Sequence, residues 1–360
     1  MGVANTNEVS QSVVHRVSVV VTSHNAKATL PRTLASIAAL TGVAEVIVID
    51  SGSTDGTPEL VPSFLPNARV IKLAENVGPC VTRNLGLKQA TSAYVLLLDD
   101  DMVFDGDMLD RLLRALSDAP GHVAAGPTIV FDDRPGSIQY AGGRMHFGGL
   151  PHLFRLGESP DSVTRPVDVD ILTAGCLLVA KESALSIGGF DERFFYLAED
   201  VDFALRLRYR GHRLLLVSSV VVRNVGGSSA LSLKDSAYPA RRVELHSRNR
   251  WLLVGRNYDT WTIYALMPAL LLYEVAWAAF AASTGHLMPY IRGKMRAVGS
   301  LLERSPWQRQ AKRITDRSLI GAPAMTFTRT ALSQSGAKVG AVALDGSLRL
   351  MWTCLRGLLQ

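Results

Sequence analysis

From Arg16 onward, short β-branched runs alternate with amphipathic stretches at a spacing of about 25 to 30 residues, and this alternation restricts the possible folds more than any other feature. VSVVVTS (Val17–Ser23), EVIVID (45–50), RVIKL (69–73), YVLLLD (Tyr94–Asp99) and HVAAGPTIVF (122–131) are expected strands. TLPRTLASIAAL, the segment from Thr57, VTRNLGLKQA and DMLDRLLRALSDA are the helices between them. Continuous apolar strands joined by helices predict an α/β fold whose sheet is mostly parallel and covered on both faces. The Gly, Pro and Asp-rich residues 132–170 are expected to form loops and hairpins over one sheet edge. ILTAGCLLVAK then returns as a strand, AEDVDFALRLRYRG as a helix closed by Gly211, and LLLVSSVVVRN as a last strand.

With 48% apolar and 19% charged residues over 360 positions, the chain can bury a large core. Cys80, Cys176 and Cys354 show no metal-ligand or disulfide spacing, which fits a reducing cytoplasm. Charge is uneven: residues 1–240 carry 21 Lys and Arg against 26 Asp and Glu, whereas 241–360 carry 17 against 6. The basic part is also the most apolar, so it suits anionic lipid headgroups and argues against nucleic acid. Residues 1–15 are polar and lack the apolar core of a secretory signal; they are expected to form a flexible tail.

Ligands of open parallel sheets bind beyond the carboxyl ends of the strands. Three polar clusters stand there: Thr22 to Asn25, Asp50 to Thr57, and Asp99, Asp100 and Asp101. No GxGxxG follows the first strand, so a single nucleotide is a better ligand than a dinucleotide. Asp50 can accept from a base imide or ribose hydroxyls, and Gly52 and Gly56 permit close backbone approach; Asp55 suits an Asx turn. Three adjacent carboxylates repel one another, and a hard cation, Mg²⁺ or Mn²⁺, bridging to a diphosphate would relieve that. At the start of the later helix, Asp202 is placed to pair with Arg206 at i+4; Asp200 has no such partner and is the candidate base.

VSVVVTSHN, VIVIDSGSTDGT, ENVGPCVTRNLGL, YVLLLDDDM, TAGCLLVAKESALSIGGFDERFFYLAEDVDFALRLRYRG and RNRWLLVGRN follow one another in an order that closely resembles the family-2 glycosyltransferases of A-type fold, in particular their rhamnosyltransferase-like branch. The resemblance runs from about Val17 to Asn257. It implies inverting transfer from a nucleoside diphosphate sugar to a glycan or polyprenyl-linked glycan, by a catalytic domain at 16–240 with a nucleotide-binding half (16–130) and an acceptor-binding half (131–240). It also implies that Thr22, His24, Asn25, Asp50, Gly52, Asn76, Gly78, Arg83, Asn84, Asp99 and Asp100 line the nucleotide sugar, and that Asp99, Asp101 and Asn224 face the metal. Asn224 stands where many relatives carry a histidine, which makes for a weaker ligand. Gly175, Cys176, Gly189, Asp191 and Glu199 would meet the acceptor, Asp200 would act as base, and His246, Arg248 and Asn249 would clamp phosphate.

Residues 241–360 are expected to be a basic, amphipathic helical region that associates with membrane. Residues 261–282 carry Glu274 as their only charge, but that acid and Pro268 favour an in-plane or protein-packed helix over a span. Ile291, Met295, Val298 and Leu302 make one helical stripe beside Arg292, Lys294 and Arg296. The expected location is the cytoplasmic face of the membrane, peripheral or with one hydrophobic segment. Two other readings compete: a sugar-phosphate nucleotidyltransferase, for which TSHNAKATLPR is a poor phosphate loop, and an inactive nucleotide-sugar-binding protein.

Overall fold

The computed structural model describes residues 17–162, 165–226, 239–302, 312–321, 325 and 335–359. The expected tail at 1–15 lies outside the described residues.

The first half is built of β1 (Val17–Ser23), α1 (Leu30–Ala38), β2 (Val43–Asp50), α2 (Thr57–Phe64), β3 (Arg69–Lys72), α3 (Gly78–Gln89), β4 (Tyr94–Asp99), β5 (Met102–Val103), α4 (Met108–Ser117) and β6 (His122–Phe131). Then come β7 (Arg134–Tyr140), β8 (Gly143–His146), β9 (Leu150–Leu153), β10 (Val167–Val169), β11 (Cys176–Ala180), α5 (Lys181–Ser186), α6 (Glu199–Tyr209) and β12 (Arg213–Asn224). The remainder is α7 (Ala240–Asn257), α8 (Thr260–Ser283), α9 (Leu287–Leu302), α10 (Asp316–Leu319), β13 (Ile320–Gly321) and α11 (Ser335–Leu355).

The main sheet runs β10-β12-β6-β11-β4-β1-β2-β3, with β5 paired to β12 and β7 to β6. β1, β2, β3 and β4 are mutually parallel, as are β6 and β12. All seven residues of β1 are buried because helices cover both of its faces. Alternation sends Val19 and Val21 into the core on one side and Val20, with Ile47 and Ile49, into the core on the other. The second of these cores continues into the C-terminal helices through Leu252, Leu266, Leu270 and Leu348. The strand at 176–180 departs from the parallel rule: β11 is antiparallel to both β4 and β6, which brings Gly175 beside the end of β4, where its carbonyl accepts the Asp99 N–H at 2.9 Å. Residues 132–170 are more regular than their composition predicts. β7 forms a hairpin with β6, and β8, β9 and β13 make a separate small sheet.

Register sets the site. β1 and β2 align Ser23 with Asp50, and β1 and β4 align Thr22 with Asp99, so the three polar clusters end level at one edge.

Candidate active site

Asp50 is buried, and its Oδ2 accepts the Ser53 N–H at 3.0 Å while Oδ1 has no partner. A buried carboxylate oxygen left open at a strand end is suited to a donor brought by a ligand. The adjoining turn needs Gly52: its φ is +67°, and a Cβ there would lie 2.6 Å from the Glu75 backbone. That contact draws the 75–77 loop over the turn, where the Ser51 hydroxyl accepts the Val77 N–H and Asn76 Oδ1 accepts the Gly78 N–H, both at 3.0 Å. Asn76 and Gly78, whose φ is +81°, thus shape the entry to α3. His24 Nδ1 lies 2.7 Å from the Ser51 carbonyl, so that nitrogen carries the proton, and the His24 N–H donates to Asp100 at 3.1 Å. Asn25, in left-handed backbone, takes the Thr54 N–H on Oδ1 and gives its own N–H to Ser53. Asp55 forms the Asx turn expected of it, accepting the Thr57 N–H.

At the end of β4, Asp99 Oδ1 receives Arg83 Nη2 at 2.7 Å and the Thr22 hydroxyl at 3.3 Å. The other arm of the buried Arg83 guanidinium, Nη1, donates to Glu199 Oε1 at 3.0 Å. One cation therefore ties the acidic run to the first turn of α6. Asp101 is buried with Oδ1 unpartnered, while the Asn224 side chain donates to its carboxylate. Burial, reinforced by Asp99, pushes Asp100 up to about 7, and burial with the charges of both neighbours lifts Asp101 well above the usual carboxylate range.

The loop before α6 is strained. Phe195, Leu197 and Ala198 all have positive φ, a conformation that costs non-glycine residues about 1–3 kcal/mol each. It is held from α7: the Asn249 amide donates to the carbonyls of Phe194, Tyr196 and Leu197 at 3.0, 2.7 and 2.7 Å, and Arg248 donates to Phe194 as well. The loop delivers Glu199 and Asp200 to the helix start. Asp200 Oδ1 accepts the Val201 N–H at 2.8 Å, and the Thr173 hydroxyl donates to the same carboxylate. Burial raises the pKa of Asp200 against the pull of Arg83; burial and the Asp200 charge bring Glu199 up to about 7.

Several expected roles change. Asn84 is buried and engaged by protein: it bonds the Phe190 N–H and carbonyl and Glu192, so it fixes the 188–192 loop, where Gly189 (φ +73°) packs on the Asn84 amide. Asp191 is fully buried between Arg193 and Arg256 and cannot meet an acceptor. Cys176 is sealed inside β11, whereas its neighbour Gly175 backs onto Asp99: a Cβ there would lie 3.1 Å from Asp99 Oδ2. Asn224 Oδ1 accepts the Gly226 N–H at 2.7 Å and its amide N–H donates to Asp101, so the residue reaches the expected metal position through its donor side. His246 packs against Trp277 with ring centroids 4.3 Å apart and the planes tilted by 47°, and bonds Tyr273, enclosed by α8; burial and then nearby Arg250, Lys294 and Arg242 bring its pKa down to about 3. Arg248 and Asn249 clamp the 194–197 backbone, not a phosphate. Thr173 was not singled out in the sequence, where one hydroxyl before a Gly-Cys pair carries no distinguishing signal.

The sequence model of glycosyl transferase family 2 matches residues 18–185, the segment that supplies β1 through most of α5. The domain built on these strands carries the sequence pattern of that family, and the similarities support a glycosyltransferase. It is 28% identical over 264 residues to the N-acetylglucosaminyl-diphospho-decaprenol L-rhamnosyltransferase of Mycobacterium tuberculosis, covering 64% of this chain and 81% of that one. In fold it is similar to S. aureus TarS 1-349 in complex with UDP-GlcNAc, with a TM-score of 0.53, 17% identity and coverage of 94% of this chain and 91% of that one. It is also similar to GalNAc-T7 with UDP, GalNAc and Mn2+, with a TM-score of 0.56, 17% identity and coverage of 74% and 52% respectively.

Proposed function

We propose that the protein transfers a sugar from a nucleoside diphosphate sugar to a hydroxyl of a lipid-linked or cell-surface glycan with inversion at the anomeric carbon, and that the donor is a rhamnosyl nucleotide, as in the mycobacterial relative's name. The observation that carries this reading is the Asp99–Arg83–Glu199 bridge. It brings the acidic end of β4 and the first turn of α6 into one electrostatic unit, which puts the candidate base beside the place the donor's leaving group would take. The reaction belongs on the cytoplasmic face of the membrane, where both donor and lipid-linked acceptor are at hand.

Asp50 takes the nucleoside, with the Gly52 turn and His24 walling it. Asp200 accepts the proton of the attacking hydroxyl, a role suited by a carboxylate that burial has made more basic and that one backbone N–H and the Thr173 hydroxyl orient. A single base and one displacement give inversion; a retaining route would require a second carboxylate as nucleophile. Glu199, neutralised by Arg83, is committed to holding this geometry.

A divalent cation, Mg²⁺ or Mn²⁺, fits the acidic run. Asp101 presents an unpartnered buried oxygen among three mutually repelling carboxylates, and oxygen donors suit a hard ion. Among the described residues no three His, Cys, Asp or Glu side chains gather to hold an ion, so Asp101 would bind it together with donor phosphates, and Asp99 through whichever oxygen Arg83 leaves. Such an ion supplies charge neutralisation for the departing diphosphate.

The test is a panel of UDP-, TDP- and GDP-sugars with a polyprenyl-diphosphate glycan acceptor, with and without Mn²⁺ or Mg²⁺, scored for the released nucleotide and the anomeric configuration of the product. Acceptor-dependent nucleoside diphosphate release with an inverted linkage, reduced about 10²–10⁴-fold in Asp200→Asn, is the expected result. Pyrophosphate release would instead mark a nucleotidyltransferase.

A further inference from the structure

We propose that α8 and α9 seat the protein on an anionic lipid surface, lying along the headgroups and not crossing the bilayer. This deepens the reading of a membrane-face enzyme. Helix α8 is long and apolar enough to span a membrane by length and composition, but its two sides have different fates. Its exposed positions from 261 to 282 are Trp261, Tyr264, Pro268, Leu271, Val275, Ala279 and Ala282, a single stripe at helical spacing with no charged residue in it. Helix α9 repeats the spacing with Met288, Ile291, Met295, Val298 and Leu302, all exposed. Val275 and Met295 are 68% and 70% exposed, too much for side chains shielded by a neighbouring element.

The opposite side of α8 is committed to protein. Leu266, Leu270, Tyr273 and Trp277 are buried, and Glu274, at the border of the two faces, binds Arg250 at 2.9 Å, Lys294 at 2.6 Å and the Trp251 indole N–H at 2.8 Å. A crossing α8 would have to break this cluster or carry α7 into the bilayer with its five arginines. An in-plane helix needs neither, because its stripe enters only about 5–10 Å at the headgroup boundary.

Charge selects lipid as the occupant. Arg241, Arg292 and Arg296, each about half exposed, converge on the single carboxylate of Glu244 and leave surplus positive charge beside the α9 stripe. Trp261 and Tyr264 add amphipathic rings of the kind that settle at headgroup level. A protein partner usually forms about one hydrogen bond per 100–200 Å² of interface, and the apolar side chains of these stripes offer almost nothing to bond.

The test is sedimentation of the full-length protein with vesicles of phosphatidylcholine alone or with a quarter phosphatidylglycerol, at low and high salt. Expected is binding about tenfold or more tighter to the anionic vesicles, weakened by salt and extracted at alkaline pH. Val275→Asp with Met295→Asp should abolish binding, and Arg292→Gln with Arg296→Gln should remove the lipid-charge preference, with melting temperature and nucleotide release toward a water-soluble acceptor unchanged. Binding that resists alkaline extraction, equal binding to both vesicles, no binding, or a dimer in light scattering that the Asp pair dissociates would each overturn the proposal. Vesicle binding needs no donor sugar, so loss of sugar transfer with vesicle binding intact would count against the proposed reaction alone.

Discussion

Arg83 Nη1 and Glu199 Oε1 meet at 3.0 Å across 116 residues of chain, and the same guanidinium reaches Asp99 at 2.7 Å. Its charge opposes the upward push that burial exerts on both Glu199 and Asp200. A base works ionised, so the acid limb of kcat/KM should lie above the ordinary carboxylate range, as a property of the Glu199 and Asp200 pair. Arg83→Gln removes the opposing charge, both carboxyls rise further, and the limb moves to higher pH; Arg83→Lys keeps part of the effect. Profiles from pH 5 to 9 for the three proteins check this, and an unmoved limb in Arg83→Gln would rule it out.

Asn249 gives three donor contacts to the 194–197 backbone without touching the candidate donor site. Backbone in the left-handed region persists only where its surroundings hold it, so Asn249→Ala should let the loop relax and shift Asp200. A displacement on the order of 1 Å costs about 10²-fold in rate. The expected result is a fall in kcat of that size with donor KM nearly unchanged; a phosphate clamp would instead show its loss mainly in donor KM.

Asp191 predicts stability, not rate. Burial alone would raise its pKa, but the Arg193 hydrogen bond and the Arg256 charge hold the carboxyl below its ordinary value. A depressed folded-state pKa contributes stability above the unfolded value, lost as pH falls below about 3.8 toward the folded value. Asp191→Asn takes one of the two buried carboxylates from Arg256, which keeps Asp202 at 3.2 Å, and should cost about 1–3 kcal/mol, seen as a fall in Tm of a few degrees at pH 7. A melting temperature within a degree of the parent would refute the role.

The central strands β1 and β4 were legible because each is a nearly continuous apolar run, and the carboxylates at strand ends because register in a parallel sheet brings such residues level; β8 and β9, short and mixed in composition, were not. The direction of β11 was not, since a five-residue buried run reads the same either way. Asn84 was misjudged with Arg83 because the two are adjacent in one motif, yet consecutive helical residues are turned by about 100° and face different neighbours. Cys176 and Gly175 differ for the analogous reason in a strand, where alternate residues point to opposite faces. His246 was expected at a phosphate because it stands beside Arg248 and Asn249 in the sequence, and the packing of Trp277 from the next helix, which the sequence does not show, encloses it. The Arg83 bridge needed tertiary structure altogether, joining segments that share no local pattern.

Asp101 separates stability from catalysis most sharply. Its carboxyl is buried with one oxygen unpartnered and next to two acidic neighbours, so its pKa stands well above normal. A raised folded-state pKa means that ionisation destabilises the protein as pH climbs past the unfolded value of about 3.8, and the penalty is complete above the folded pKa. Asp101→Asn removes the charge but keeps the shape. In metal-free buffer at pH 8 the variant should therefore melt higher than the parent, by about 0.5–2 kcal/mol or a few degrees. Mn²⁺ should raise the parent's Tm and have far less effect on the variant's, because the anionic carboxylate that would take the ion has become a neutral, weaker amide ligand, and sugar transfer should fall with it. A variant that melts lower without metal, or that Mn²⁺ stabilises as much as the parent, would show that the buried carboxylate is satisfied by the protein itself and that the cation binds elsewhere.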